Sequence, residues 1–305
     1  MTVPDVVARL VAELGDRVDV TDAGRTAARA DKSGQAASGS PLAVVHACTV
    51  DDVQTTMRIA SATGTPVVPR GAGTGLAGGA NTGVGEIGLS LRSMDRILEV
   101  HPDDLIAVVE PGILNGQLNA ALAEHGLWWA PDPASRDIST VGGNIATGAG
   151  GLLCAKYGVV RDAVLGLDLV LADGRLMRLG HRTVKGVTGL DLTSLVIGSE
   201  GILGIVVAAT LKLRRLVPGE ARTIAATFGD AQIVELRIDS TSDDGVVIRQ
   251  DRASGRIELV RAGAGMPSGF RGSSSMALER RDEIRWDLWI DDLNERVSLV
   301  ELFAQ

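Results

Sequence analysis

Glycine-rich loops constrain the fold of this 305-residue chain more than any other feature of its sequence. Residues 70–79 read Arg-Gly-Ala-Gly-Thr-Gly-Leu-Ala-Gly-Gly, so that half of the positions are glycine. Glycine has no Cβ and adopts positive φ freely, and successive backbone amides can therefore converge on one anion. Taken alone, the loop is also compatible with a mobile surface loop or with a series of tight turns.

This loop differs from two familiar phosphate-binding motifs. No helical pattern follows its last glycine, and no acidic residue follows a second strand about 20 residues on, as in a Rossmann fingerprint. It also lacks the Gly-Lys-Ser/Thr sequence of a P-loop. If the loop binds phosphate, it does so in another kind of fold.

A strand–helix–strand pattern precedes the loop. Residues 43–48 form a short apolar run, and Thr49 followed by Asp52 is typical of a capping box that begins a helix. We predict this helix up to residue 62, with Gly64 at its end. Helices are also predicted at residues 4–15 and 113–125, strands at 66–69, 87–90, 94–100, 106–109, 163–172, 176–179 and 204–213, and loops at 21–40 and 131–158.

Two further glycine clusters favour a binding function for the first one. Residues 142–151 contain Gly-Gly-Asn and Gly-Ala-Gly-Gly, and residues 197–204 read Ile-Gly-Ser-Glu-Gly-Ile-Leu-Gly. Each cluster is joined to predicted strands. Three separate small-residue segments of this kind indicate several loops that converge on one extended ligand.

Taken in order, these motifs resemble a known flavoprotein domain. The segments PVVPRGAGTGLAGGA, STVGGNIATGAGG and VIGSEGILGIV, with PDP, KYG and GLDL among them, are similar to the FAD-binding domain of the vanillyl-alcohol oxidase/PCMH family. The most similar branch holds the GlcD-type polypeptide of glycolate oxidase together with D-lactate dehydrogenase and D-2-hydroxyglutarate dehydrogenase. The resemblance implies an α+β fold in which two αβ subdomains, at about 1–95 and 96–217, hold FAD. Residues 218–305 would be a truncated or atypical substrate or cap region.

The resemblance also assigns parts of the cofactor to residues of this chain. The pyrophosphate is expected on the backbone amides of Arg70, Gly71, Ala72, Gly73, Thr74, Gly75, Gly78 and Gly79. The flavin end is expected near Pro131 and Asp132, with Gly150 under the ring. The ribityl and phosphate groups are assigned to Thr140, Gly142, Gly143, Asn144 and Ala146, and the adenosine side to Glu200, Gly201 and Ile205. The loop at 70–79 has no His for covalent attachment, so non-covalent FAD is expected.

Several other residues allow two interpretations. Lys156 and Tyr157 could place charge near the flavin or a substrate carboxylate, or Tyr157 could pack in the protein. Lys185 could contact the ligand or be a solvated loop residue, whereas Asp191 is expected to cap the segment that follows it. The pair at 128–129, both Trp, could form a wall beside the flavin, but core packing is favoured. No two His residues have metal-ligand spacing, so no metal site is expected.

Composition limits the partners. The formal net charge of −8 disfavours nucleic acid and anionic membranes, because both need a basic surface. The two cysteines fit a reducing compartment, and the first residues lack a signal-peptide pattern. No apolar run reaches about 18 residues, the length that spans a bilayer. We therefore expect a cytoplasmic protein without a transmembrane segment.

The resemblance ends shortly after Pro218. Relatives in this branch carry a cap domain and His-rich C-terminal segments that supply a metal site and a catalytic His. Here the matching pattern stops near residue 232, and residues 219–305 contain no His. We expect this region to be a truncated or altered remnant, with an amphipathic helix at residues 278–302.

The function implied by the resemblance is an FAD-dependent oxidoreductase. A hydride would pass from a small 2-hydroxy acid, of the glycolate or D-lactate type, to the flavin, and electrons would then pass to an acceptor other than NAD. The base that must take the substrate's hydroxyl proton is not found, so the catalytic residues stay unassigned. The alternatives are a non-catalytic FAD-binding subunit that needs a second subunit, and an inactive remnant.

Overall fold

Two β-sheets organise the first part of the chain. The structure, a computed structural model, describes residues 3–183 and 185–216, and beyond them the backbone of six strands between residues 223 and 302. The chain divides into two compact units, Met1–Val217 and Pro218–Gln305. The interpretation of the second unit as a truncated substrate or cap region stays a prediction.

The first sheet has four strands in the order β1-β2-β4-β3. These strands are β1 (Val18–Asp19), β2 (Ala43–His46), β3 (Val67–Arg70) and β4 (Ile87–Ser90). β2, β4 and β3 are parallel, and β1 joins β2 in the antiparallel sense. β4 is buried at every position, as expected of a central parallel strand that is covered on both faces.

Helices pack against this sheet and lead into the glycine-rich loop. They are α1 (Val3–Leu14), α2 (Asp22–Ala27) and α3 (Val50–Thr63). The predicted capping box begins α3, because the Thr49 hydroxyl accepts from the Asp52 amide (3.2 Å) and the Asp52 carboxylate accepts from the Thr49 amide (3.0 Å). Gly64, with a φ of 65°, ends the helix in the left-handed conformation. The β2–α3–β3 crossover therefore delivers the chain to residue 71 from a rigid strand.

The second sheet has five antiparallel strands in the order β5-β6-β10-β8-β9. These strands are β5 (Ile97–His101), β6 (Ile106–Val109), β8 (Val164–Val170), β9 (Leu176–Gly180) and β10 (Ile205–Lys212), while β7 (Leu127–Trp128) pairs separately with β11 (Arg214–Arg215). A tight turn at Asp173 and Gly174 joins β8 to β9, as the sequence predicts.

Four helices accompany the second sheet: α4 (Asn115–Ala123), α5 (Val141–Thr147), α6 (Cys154–Tyr157) and α7 (Leu192–Val196). Leu118 and Leu122 of α4 and Ile145 of α5 are fully buried in its core. The predictions of loops at 21–40 and 131–158 are wrong in part, since α2, α5 and α6 lie there. Each of these helices is too short to show a helical apolar period. No helix among the described residues is long and apolar enough to cross a membrane.

The second unit contains two three-stranded antiparallel sheets in its described residues. One has the order β12-β16-β17 and the other β13-β14-β15. Their strands are β12 (Thr223–Thr227), β13 (Ile233–Ile238), β14 (Gly245–Asp251), β15 (Arg256–Ala262), β16 (Glu283–Asp291) and β17 (Arg296–Leu302). The predicted helix at 278–302 is therefore wrong. In EIRWDLWID, apolar residues alternate with charged ones at first, which is a strand pattern.

Candidate functional site

A cleft of about 810 Å³ brings the three glycine clusters together. Its walls come from the loop after β3, from α5 with the loops beside it, and from the turn between α7 and β10. The predicted site residues that line it are Arg70, Gly71, Ala72, Gly73, Thr74, Gly75, Gly79, Thr140, Gly142, Gly143, Asn144, Ala146, Gly150, Glu200, Gly201 and Ile205. A volume of this size is typical of sites for small molecules and cofactors.

The loop after β3 presents free backbone amides to the cleft. Within the described residues, no amide from Ala72 to Ala77 donates to a protein acceptor. Gly73 has a φ of 70°, a conformation that residues with a Cβ rarely adopt. A Cβ on Gly71 would overlap the Thr140 hydroxyl, so the loop lies directly against the start of α5. Unpaired amides on a tightly packed, glycine-rich turn are the features of an anion-binding nest.

The side chain of Arg70 is bound to the protein backbone. Its Nη1 donates to the carbonyls of Ala80 (2.7 Å) and Ala28 (3.3 Å), and its Nη2 donates to the carbonyl of Ala30 (2.6 Å). Burial lowers the pKa of Arg70, and the nearby Asp31 carboxylate opposes that shift. Arg70 still lines the cleft, but these three hydrogen bonds direct its guanidinium at carbonyl oxygens.

Helix α5 places an unpaired donor in the wall of the cleft. The helix begins at Thr140, whose hydroxyl accepts from the Gly143 amide (3.2 Å). Gly142 lies so close to Pro111 that a Cβ would overlap the proline. Asn144 is 2% exposed, and its Nδ2 has no hydrogen-bond partner. Because a buried amide donor is costly without a partner, Asn144 is suited to bind an acceptor on a ligand in the cleft.

The turn before β10 forms the third wall. The Glu200 amide donates to the Ala146 carbonyl of α5 (2.8 Å), and Glu200 has a φ of 51°, which is unusual for a residue other than glycine. Gly201, with a φ of 84°, lies against the Pro69 ring, where a Cβ would overlap it. This turn is thus fixed to both α5 and β3, so the three walls form one connected surface.

Three predicted site residues, Gly78, Pro131 and Asp132, do not line the cleft. The Pro131 carbonyl accepts from Asn115 Nδ2 (2.9 Å). Burial raises the pKa of Asp132, although its carboxylate accepts from the Leu153 amide (3.1 Å), which opposes the shift. These residues adjoin the cleft, because residues 133–135 and Gly79 line it. Their contact with a cofactor stays a prediction.

Lys156 and Tyr157 belong to an aromatic cluster outside the cleft lining. The Tyr157 and Trp128 rings meet edge to face at 5.0 Å, with Lys156 Nζ and Arg214 Cζ at 5.1 and 4.8 Å from the Tyr157 centroid. Trp129, in contrast, is 1% exposed, which confirms its predicted core packing.

Two other predictions concern Asp191 and metal binding. The Asp191 carboxylate accepts from the Ser194 amide (2.9 Å) and caps α7, as predicted. Lys185 does not line the cleft. In the described part of the chain, no three His, Cys, Asp or Glu side chains converge on a possible metal position.

Sequence reasoning missed one segment of the cleft, which we call the strap, residues 28–37. Its Asp31 and Lys32 line the cleft, yet the sequence there is an irregular polar stretch without a motif. Other lining residues that were missed include Pro111, residues 133–135 and Ile138. Those at 133–135 directly follow the PDP motif, so proximity to that motif could have identified them.

The cleft fits an extended dinucleotide. Free amides at 72–77 match a pyrophosphate, the Asn144 donor matches an oxygen acceptor, and the close approaches at Gly71 and Gly142 leave the backbone bare at the cleft surface. Its charged lining side chains are Asp31, Lys32, Arg70 and Glu200.

Comparison with known proteins agrees with this geometry. Residues 41–180 match the family model described as "FAD binding domain". The chain is 42% identical over 214 residues to glycolate oxidase subunit GlcD of Bacillus subtilis, covering 70% of this chain and 45% of that protein. It is 40% identical to D-2-hydroxyglutarate dehydrogenase of Stutzerimonas stutzeri, over 58% of this chain and 38% of the relative. It is 41% identical to D-lactate dehydrogenase of Archaeoglobus fulgidus, over 56% of this chain and 38% of the relative.

A solved structure also resembles the chain. Alkyldihydroxyacetonephosphate synthase matches with a TM-score of 0.63 at 24% identity, over 72% of this chain and 42% of the synthase. This match confirms the predicted α+β fold. The aligned part of this chain spans less than half the length of each of these curated relatives.

Proposed function

Residues 41–180 belong to the FAD-binding domain family, and from this premise we propose that the protein is an FAD-dependent oxidoreductase of small 2-hydroxy acids. FAD, the predicted cofactor, is confirmed by that family and by the FAD-linked relatives. The cleft with its unpaired amides is the observation that carries the proposal. The similarity to proteins named D-lactate dehydrogenase, D-2-hydroxyglutarate dehydrogenase and glycolate oxidase subunit GlcD supports the substrate class.

The chain's own residues would hold and orient the cofactor. When bound, FAD supplies a ring system that takes up the two electrons of a hydride. The amides at 72–77 would neutralise the pyrophosphate, and Asn144 Nδ2 would donate to an acceptor of the cofactor. Glycine at 71 and 142 keeps the walls close enough for backbone contact. The absence of His from the loop at 70–79 supports non-covalent binding.

Proton transfer needs a group that the cleft does not supply among its described residues. Oxidation of a 2-hydroxy acid removes the hydroxyl proton as the hydride leaves, and a positioned base promotes that step. The acidic side chains in the cleft lining are Asp31 and Glu200, and no His lines it. This observation favours a second candidate function, an FAD-binding subunit whose site is completed by another polypeptide.

A flavin spectrum followed by anaerobic titration tests both functions. We expect purified protein to show flavin absorbance, and acid precipitation to release the flavin if it is non-covalent. Anaerobic glycolate, D-lactate or D-2-hydroxyglutarate should then bleach the flavin band. Stoichiometric FAD without bleaching by any of these acids would contradict the oxidoreductase, and bleaching after addition of a co-purifying polypeptide would favour the second function.

A further inference from the structure

The strap is tied to itself and forms a defined surface beside the glycine-rich loop. Its Ala30 pairs with Ala36 in an isolated antiparallel bridge, and the Ala37 amide donates to the Arg29 carbonyl (2.9 Å). The Ser33 amide donates to the Asp31 carboxylate (2.8 Å). These contacts stabilise the turn that carries Asp31 and Lys32 into the cleft wall.

Both ends of the glycine-rich loop are attached to the strap. At the start of the loop, Arg70 donates to the strap carbonyls of Ala28 and Ala30 and to Ala80 at the loop's other end. Just after the loop, the Thr82 amide donates to the Ala28 carbonyl (3.0 Å), and Asn81 Nδ2 donates to the Gln35 carbonyl (3.1 Å). Arg70 therefore closes the loop like a clasp, with the strap as its base.

The loop also passes directly over the Arg70 guanidinium. A Cβ on Gly73 would overlap that group, so the nest rests on it. Since the guanidinium faces carbonyl oxygens of both segments, its fork geometry sets the separation between them. A loop held in this way has already lost the conformational freedom that binding would otherwise cost.

Asp31 contributes from the opposite side. Burial would raise the pKa of Asp31, yet this pKa lies below its usual range because Ser33 and the amides of Ala80 and Gly78 favour the carboxylate. Oδ2 makes no hydrogen bond of ordinary geometry, so the last two amides act at longer range. The carboxylate also faces the charge of Arg70. A negative group is thus retained in a wall that is expected to bind a pyrophosphate.

We propose that Arg70 and the strap form a positioning unit for the phosphate-binding loop, in which the Arg70 side chain holds the loop and does not itself contact the pyrophosphate. The amides at 72–77 are the binding groups, and Arg70 with Asp31 keeps them convergent. This inference depends on FAD binding and not on which hydroxy acid is oxidised. A wild-type protein that binds FAD but oxidises none of the acids would leave it intact.

The decisive comparison is between Arg70→Lys and Arg70→Met. Lysine keeps the charge but cannot bind three carbonyls as a planar fork does, so we expect both variants to lose FAD affinity by about tenfold. The dependence of FAD affinity on salt should match that of the wild type in both. Affinity is measured by titration of flavin fluorescence into cofactor-free protein. Lys212→Met, which removes a cation outside the cleft, is the matched control and should bind FAD normally.

The opposite result would show a direct charge contact. In that case Arg70→Lys would bind nearly as well as the wild type, and Arg70→Met would show a weaker dependence on salt because one ionic contact is lost. Either observation would overturn the proposal.

Two milder variants keep the proposal testable if the Arg70 variants do not fold. Asp31→Asn removes a negative charge from an anion site, so electrostatics alone predicts tighter FAD binding, whereas the positioning role predicts binding weaker by about threefold. Asn81→Ala should also weaken binding. Unchanged or tighter FAD binding in both variants would overturn the proposal, and the exposed Asp103→Asn serves as the charge-matched control.

Discussion

The buried amide of Asn144 allows cofactor binding to be separated from folding at the scale of one residue. Its Nδ2 has no partner, and such a group costs about 1–3 kcal/mol in the cofactor-free protein. We therefore predict that Asn144→Leu weakens FAD binding by about tenfold, the equivalent of one lost hydrogen bond. The free energy of unfolding of the cofactor-free protein should be unchanged or higher, as measured by urea titration.

Asn115 is the matched control for that prediction. It is also fully buried, but its Nδ2 donates to the Pro131 carbonyl and its Oδ1 accepts from Asn119 Nδ2 (both 2.9 Å). Asn115→Leu should therefore destabilise the cofactor-free protein by about 1–3 kcal/mol. If both leucine variants lower stability equally, the Asn144 donor is satisfied in the protein and its assigned role is wrong.

Gly71 allows a second test at the residue scale. A Cβ there would overlap the Thr140 hydroxyl, which is held in place by its hydrogen bond from the Gly143 amide. Gly71→Ala should therefore lower the free energy of unfolding of the cofactor-free protein by about 1–3 kcal/mol. Gly75→Ala should change it by less than about 0.5 kcal/mol, since its Cβ would lie at an ordinary 3.5 Å from Asp31 Oδ2. Equal stability of the two variants in urea would contradict the close packing of loop and α5.

At the scale of elements, the sequence predicted strands and capped helices well. β4 and β6 begin and end at the predicted residues, and α3 has both its predicted capping box and its glycine end. These elements have local signals: an apolar run, a Thr-x-x-Asp pair, a glycine at the terminus. The helix α5 was missed because Gly142 and Gly143 lower helix propensity, and packing against Pro111 compensates only in the folded chain.

The site was predictable where glycine carries the function and was missed where carbonyl oxygens do. The three glycine clusters pointed to a common ligand because glycine is visible in the sequence. The strap, in contrast, contributes the carbonyls of Ala28, Ala30 and Gln35, and any residue type supplies a carbonyl. Contacts of this kind leave no pattern that a single sequence can reveal.

An exposed ion pair connects β5 with the segment after β9 and should make stability depend on acid pH. Hydrogen bonding from Arg182, followed by that from His101, lowers the pKa of Glu99 to about 2. A lowered pKa means that the stabilisation is complete above the ordinary value of 4.5 and is lost as the pH falls towards 2. The difference in unfolding free energy between the wild type and Glu99→Gln should therefore be constant above about pH 5 and shrink below it.

Neighbouring groups define the controls for this pH prediction. His101 is protonated throughout the acid range and stays a donor, while Asp168 also acts on Arg182 and titrates in part of the same range. Arg182→Gln should remove most of the pH-dependent difference, and adding Glu99→Gln to it should have little further effect. A difference that persists unchanged down to pH 2 would contradict the assignment to Glu99.

At the scale of the whole molecule, FAD should stabilise the chain by mass action. A ligand that binds the folded state alone, at about 100 times its dissociation constant, adds about 2.7 kcal/mol. For a unit of the size of Met1–Val217, this corresponds to a rise in melting temperature of about 5–10 °C. FMN lacks the adenosine part and so cannot contact the loop at 70–79 and the turn at 199–205 together. At the same concentration it should therefore produce a smaller rise in differential scanning calorimetry. Equal shifts from FMN and FAD would contradict an extended dinucleotide site, and no shift from FAD would contradict the binding cleft itself.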